Sequence, residues 1–385
     1  MTGSLFSPIS IGDLTLRNRI QMSSMVTNFA SPDGHITERG IRYYAERARG
    51  GCALVMVEAT YIMQEGKSFP FGLGLDDDDK IEGFRALNAA IHAHGAASGI
   101  QLQHGGRFAV PAFSGHPAAL VSRVPGLTPE NSSFVLSEED IADIVSRYAD
   151  AAERAVRAGF DLIELHGAHG YLLAQFLSPL TNRRGDCYGG SFEKRLRLPL
   201  DVLSACRARV GKNVPIVMRL SVEEFLEGGL DLAMSLDIAK ALVDAGIDGL
   251  NISVGAGESN HYTIPPACIP QGFNGERAAA IRHAVEGRVP VAVAGRITDR
   301  KSAERLLEET KADIVVMGRA LLADPFLPRK LEAGDDAAIA PCLACNEGCA
   351  GALAKRAPIS CAVNPFVGKE ALKDIQNAEP KRIAV

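Results

Sequence analysis

Short apolar runs recur along this chain, and each is followed by a longer stretch in which apolar residues fall three and four apart. The first run, residues 20–25, leads into 37–50, where Ile41, Tyr44, Ala45 and Ala48 share one helical face and Gly50-Gly51 ends it. The alternation then repeats: strand 53–58 and helix 81–94, strand 99–103 and a helix opened by Ser137-Glu-Glu-Asp140 that reaches Ala158. Strand 161–165, which leaves His166 and His169 just past its carboxyl end, precedes helix 191–210, strand 214–219 precedes helix 232–245, and strand 248–254 precedes helix 276–285. Runs 289–294 and 313–317 complete the strands, with helices at 299–309 and 320–330. Brief apolar runs bounded by turns and separated by amphipathic helices are buried parallel strands. Eight of them predict an α/β protein with a (β/α)8 barrel at residues 1–335; a doubly wound open sheet is disfavoured by that count.

Two Pro-, Gly- and Ser-containing insertions, 108–136 and 255–273, follow the third and sixth strands. On a barrel both lie at the carboxyl ends of the strands, where loops wall the active face. The composition changes this picture little. A formal net charge of −5 leaves no electrostatic footprint for nucleic acid, and no apolar run is long enough for a membrane span. The first residues lack a basic segment followed by an apolar core, so a cytoplasmic protein is expected.

Chemistry concentrates at the end of the fourth strand, in Asp161-Leu-Ile-Glu-Leu-His-Gly-Ala-His-Gly-Tyr171. His166, His169 and Tyr171 bring two imidazoles and a phenol to one turn, a proton donor beside two groups that polarise an oxygen. The plainer reading is that the imidazoles satisfy buried backbone groups and Tyr171 packs. Zinc binding by His166 and His169 ranks lower, because a third ligand at suitable spacing is not evident. After strands seven and eight, Gly295-Arg296 and Gly318-Arg319 repeat a glycine and a cation where barrels hold phosphate. Gln101 and Arg219 interrupt apolar strands, and a buried Arg219 requires a partner.

Of eight cysteines, Cys52, Cys187, Cys206 and Cys268 are scattered, whereas Cys342, Cys345, Cys349 and Cys361 cluster within 336–378. Their spacing suits either a [4Fe–4S] cluster or a tetrahedral zinc.

Several motifs together resemble the old yellow enzyme family of FMN-dependent ene-reductases, in order from about residue 5 to 330. They are Leu14-Thr-Leu-Arg-Asn-Arg-Ile20 with Ser24-Met25, His166-Gly-Ala-His-Gly-Tyr-Leu172, Gln175-Phe-Leu-Ser-Pro179, Asn182-Arg-Arg-x-Asp186, Tyr188-Gly-Gly-Ser191 and Gly318-Arg-x-Leu-Leu-x-Asp-Pro325. The resemblance implies FMN over the barrel mouth, lined by Ser23, Ser24, Met25, Val26 and Ala59. Gln101 would meet its pyrimidine edge, Arg219 its N1 and O2 side, and Gly295, Arg296, Gly318 and Arg319 its phosphate. It implies that His166 and His169 bind a substrate carbonyl oxygen and that Tyr171 delivers a proton. Family members often carry Pro before Met25, and redox-sensing ones Cys after it; Ser24 and Val26 stand there instead, so thiol tuning of the flavin is not expected.

Cys342-x2-Cys345-Asn346 with Cys361-Ala-Val-Asn-Pro365 resembles the [4Fe–4S] segment of a multi-cofactor branch that includes 2,4-dienoyl-CoA reductase, trimethylamine dehydrogenase and enoate reductases. There the cluster passes electrons between a second flavin and FMN. Residues 379–385 read as the first half of a strand, which in those relatives opens an FAD-binding domain; its Gly-x-Gly-x-x-Gly turn does not follow here. FAD and NAD(P)H are therefore expected through a missing C-terminal region or a separate electron-donor protein. Dienoyl-CoA reductase replaces the second histidine and uses one after strand six, for which His261 is the candidate; an exposed loop position is expected instead.

The implied activity is reduction of the C=C bond of an α,β-unsaturated carbonyl, an enoate, enone or dienoyl thioester, by a homo-oligomer. An amine dehydrogenase or demethylase of the same family is the alternative, disfavoured by the absence of Trp from a cation cage. A non-redox, zinc-stabilised barrel that binds a phosphorylated ligand is the alternative from another class.

Overall fold

A computed structural model describes residues 5–374, so the segment 379–385 lies outside the described residues. Eight strands close into one barrel. They are β1 Ile20–Met22, β2 Leu54–Tyr61, β3 Ala97–Gln103 and β4 Leu162–Gly167, then β5 Ile216–Ser221, β6 Gly249–Ser253, β7 Val291–Ala294 and β8 Ile314–Met317. All neighbours are parallel, and β8 pairs with β1 to close the ring. The surrounding helices include α1 Glu38–Arg49, α2 Ile81–His92, α3 Glu138–Arg157 and α4 Phe192–Val210. They continue with α5 Leu232–Asp244, α6 Gly275–Ala284, α7 Arg300–Glu308 and α8 Leu327–Ala333. The expected capping box is present: Ser137 accepts the Asp140 N–H while Asp140 accepts the Ser137 N–H, an arrangement worth about 1 kcal/mol.

Strand periodicity explains how the barrel is filled. Along β4, Ile163 and Leu165 join the apolar layer under the helices, while Leu162 belongs to a separate interior cluster with Leu54, Met56, Val217, Ala292 and Ile314. Gly99 makes room for this plug, since a Cβ there would stand 2.3 Å from Met56 Sδ. A hairpin of Ile9–Ile11 and Leu14–Leu16, which the sequence pattern did not disclose, adds Ile11 and Leu16 beneath it. The carboxyl end of the interior is polar instead, with Gln101, Glu164, His166, Arg219 and Asn251 all buried.

The expected helix 320–330 is two helices, Arg319–Ala323 and α8. Pro325 has no N–H to continue the first, and the Asp324 carboxylate accepts the Phe326 N–H at the break. The first insertion contains a small sheet of Ala118–Leu120 paired with Ser133–Val135. The cysteine-bearing segment packs on the barrel mouth: Ile359 N–H donates to Thr27 O, Asn364 to Leu322 O, and buried Arg47 of α1 pairs with Glu370 at 2.6 Å. Among the described residues no helix is long and apolar enough to cross a membrane.

Candidate active site

A cavity of about 490 Å³ opens at the carboxyl ends of the strands, and every residue named above for flavin or proton chemistry lines it. Ser23, Ser24, Met25 and Val26 form one wall because the chain leaves the barrel after β1, and Ala59 follows a register shift in β2. Gly295, Arg296, Gly318 and Arg319 stand at the ends of β7 and β8. A Cβ on Gly318 would approach Met25 Sδ to 2.9 Å, and Gly295 has φ +145° with Asn274 Nδ2 at 3.0 Å from a Cβ position. The Gly295 turn therefore needs glycine, a Cβ on Gly318 would have to displace the Met25 side chain, and both glycines line the cavity.

His166 is the last inward-facing residue of β4 and not a loop residue, as had been expected, because the strand runs on to Gly167. His169 follows in the left-handed region at φ 59°, held by its N–H on Ser221 Oγ at 2.9 Å and by Nε2 against Ser253 Oγ at 2.8 Å. That bond leaves Nδ1 as the ring nitrogen available to a ligand. The two imidazoles lie 5.1 Å apart and His166 lies 4.9 Å from the Tyr171 ring. Burial, and then the positive charge of Arg219, hold both imidazoles well below their ordinary range, so they are neutral near pH 7. Burial pushes the Tyr171 phenol up to about 12.

Across the opening, Phe108 meets Tyr171 edge-on at 6.0 Å between centroids. Its neighbour Arg107 forms a bidentate pair with Glu258, at 2.6 and 2.8 Å, that ties the first insertion to the second. His261 is exposed on the short helix Asn260–Thr263, its ring tilted against Tyr262, and it does not line the cavity although Asn260 and Thr263 do.

Of the four clustered cysteines, Cys342 and Cys349 line this same cavity, whereas Cys345 and Cys361 do not. Cys342, Cys345 and Cys349 lie within electrostatic reach of one another and of Arg319. The Ser360 N–H donates to Gly348 O, which brings Cys361 alongside Cys349 in the backbone. All four are free thiols, and among the described residues no three Cys, His, Asp or Glu side chains are drawn together into a ligand set. The turn is nonetheless suited to thiolate binding: the Ala344 N–H points at Cys342 Sγ at 3.4 Å, and Ala344 and Asn346 take left-handed backbone that frees such donors.

Residues 4–337 match the family model described as NADH:flavin oxidoreductase / NADH oxidase family. The chain belongs to that family. Within it, the chain is 40% identical over 386 residues to an NADH oxidase of Thermoanaerobacter brockii, covering 99% of this chain and 59% of the relative. It is 34% identical over 398 residues to a cinnamate reductase of Clostridium sporogenes, covering 97% and 59%. A solved 2-naphthoyl-CoA reductase in complex with 2-naphthoyl-CoA superposes with a TM-score of 0.90 at 32% identity, over 96% of this chain and 58% of that one. The chain thus spans about three fifths of the length of these relatives.

A flavin suits the chemistry of this cavity. Arg219 Nε, Arg296 Nε and His166 Nδ1 are buried without a hydrogen-bond partner in residues that line it, so donors are held ready for an occupant. Sequence reading passed over Glu164, Asn251, Ser221 and Ser253. The signal was present in β4, where Leu162, Glu164 and His166 alternate on the inward face, and it was masked because Glu164 sits inside an apolar run.

Proposed function

We propose that this chain is the FMN-bearing barrel of an oxidoreductase that reduces the C=C bond of an α,β-unsaturated carbonyl compound. The observation that supports it is the convergence of His166, His169 and Tyr171 on one cavity that the two Gly-Arg turns also line. FMN, when bound, supplies the hydride. Gly295, Arg296, Gly318 and Arg319 hold its phosphate, Ser23 to Val26 and Ala59 flank its ring, and Gln101 and Arg219 take its polar edge. His166 and His169, being neutral, donate imidazole N–H bonds to the substrate carbonyl oxygen and favour the enolate that forms when hydride reaches the β-carbon. Tyr171 then gives its Oη proton to the α-carbon. A phenol held near 12 stays protonated at neutral pH and yields its proton only to a strong base such as an enolate carbon. Phe108, which lines the site edge-on to Tyr171 and whose neighbour Arg107 is tied to Glu258, keeps water from competing for that position.

Cys342, Cys345, Cys349 and Cys361 form a module, residues 336–378, that would hold a [4Fe–4S] cluster and supply one-electron exchange. An FAD-bearing region beginning at 379–385, or a separate donor protein, then links the chain to NAD(P)H, in a cytoplasmic homo-oligomer. The amine dehydrogenase reading is weaker, because the chain has no Trp with which to build a cation cage.

The test is to reconstitute the full chain with FMN, reduce it with dithionite without oxygen, and add cinnamate-type enoates, cyclic enones or amines. Rapid flavin reoxidation by an enoate or enone, with the saturated product recovered, is expected. Reoxidation by none of them, together with reduction of the oxidised protein by an amine, would reject the assignment.

A further inference from the structure

Glu164 stands among the polar residues at the carboxyl end of the barrel interior, it is fully buried, and the proton chemistry proposed for the site does not use it. Three donors from three strands or loops converge on it. Gln101 Nε2 reaches Oε1 at 2.7 Å, Asn251 Nδ2 reaches Oε2 at 2.7 Å, and Ser24 Oγ reaches Oε1 at 3.3 Å. Strand register makes the first contact unavoidable, since Gln101 and Glu164 are directly paired between β3 and β4. Glu164 also offsets the charge of Arg219, which burial alone would penalise.

A carboxylate accepts and cannot donate, whereas a primary amide can turn either end toward a neighbour. Facing Glu164, Gln101 must spend its NH2 on the carboxylate, and its carbonyl oxygen is left for the cavity. Asn251 is oriented in the same way, and its Oδ1 is buried without a partner. On the other side, Arg219 donates to Ser23 Oγ and Ser24 Oγ at 3.2 Å and keeps Nε free. The cavity floor therefore presents a fixed acceptor beside a fixed cationic donor, a pattern complementary to a ring imide that offers N–H and C=O side by side.

We propose that Glu164 is a positioning residue that locks the Gln101 amide with its carbonyl toward the flavin N3–H and sets the charge balance under the ring through Arg219. This rests on FMN occupying the cavity as proposed above. Replacing Glu164 by an amide removes both effects: Gln101 gains a partner that tolerates either orientation, and Arg219 loses its counter-charge.

The experiment compares wild type, Glu164→Gln and Glu164→Asp as full-length chains stripped of flavin. Affinity for FMN and for N3-methyl-FMN is read by fluorescence quenching, and the flavin midpoint potential is measured on the reconstituted proteins. Wild type should prefer FMN over the methylated analogue by about 100-fold, because an acceptor facing a methyl group is left unpaired. In Glu164→Gln the preference should fall below about tenfold. Its potential should rise by about 30 mV, which is a tenfold shift toward the reduced form for a two-electron couple. Glu164→Asp, still a pure acceptor, should retain most of the preference and keeps the test open if the glutamine variant does not fold. Wild-type preference and potential in a folded Glu164→Gln would overturn the proposal alone. Failure of wild type to bind FMN would overturn the cofactor reading and this proposal with it.

Discussion

Replacing Tyr171 by Phe removes one hydroxyl and leaves the ring contacts with Phe108 and His166 in place. The apolar area buried is nearly unchanged, so folding stability should move by less than about 1 kcal/mol. The proton-transfer step should lose about 10²- to 10⁴-fold, on the order of 3 to 5 kcal/mol of barrier. The assay is anaerobic stopped-flow: prereduced protein is mixed with an enoate and flavin reoxidation is followed, with ferricyanide as an acceptor that needs no carbon protonation. The variant should keep its FMN content and its ferricyanide rate, lose the enoate rate, and lose the solvent isotope effect on it. The pH profile adds a sign. Deprotonation removes the donor, and burial holds the phenol near 12, so the wild-type enoate rate should stay flat through pH 10, where an ordinary tyrosine has half ionised. An enoate rate within threefold of wild type in Tyr171→Phe, or a wild-type rate already halved at pH 10, would refute the assignment.

Other perturbations follow from the same geometry. Burial pushes Glu58 up from 4.5 to about 7, a penalty on the order of 3 kcal/mol for its charged form at higher pH. Because the folded state binds the proton more tightly, wild-type stability should fall as pH rises from 4.5 through 7; urea midpoints of Glu58→Gln should match wild type at pH 5 and exceed it at pH 8. Phe108→Ala should raise KM for an aromatic enoate about tenfold, or about 1.4 kcal/mol, with little change in kcat, and a steady-state comparison of aryl and small alkyl substrates would show whether the ring acts as that wall. Cys349→Ala should lose bound metal while retaining FMN, read by iron and flavin content on one sample; loss of both together would mean that the segment only supports the cavity wall.

Much of this architecture was legible because parallel barrel strands are short apolar runs whose order in sequence is their order in space. The break at Pro325 was missed because helical spacing continues across it, although a residue without an N–H cannot. The hairpin of Ile9–Ile11 and Leu14–Leu16 was missed because each strand has only three residues, too few to establish a period. At the site, the residues proposed to face the flavin were reached through motif resemblance more than through physics, and Gln101 and Arg219 through polarity in an apolar strand. Glu164 carried the same signal and was overlooked, because its role is expressed only when β3, β4 and β6 close around it. Ser221 and Ser253 gave no signal at all: a serine is unremarkable at a strand end until a second strand sets it against His169.

The most direct test of the central claim is the visible spectrum of the anaerobically purified full chain, with FMN, iron, sulfide and zinc quantified on the same sample. The account predicts bound FMN in near-stoichiometric amount with about four irons per chain. A colourless protein that contains zinc, and that still takes up no flavin after reconstitution, would contradict it.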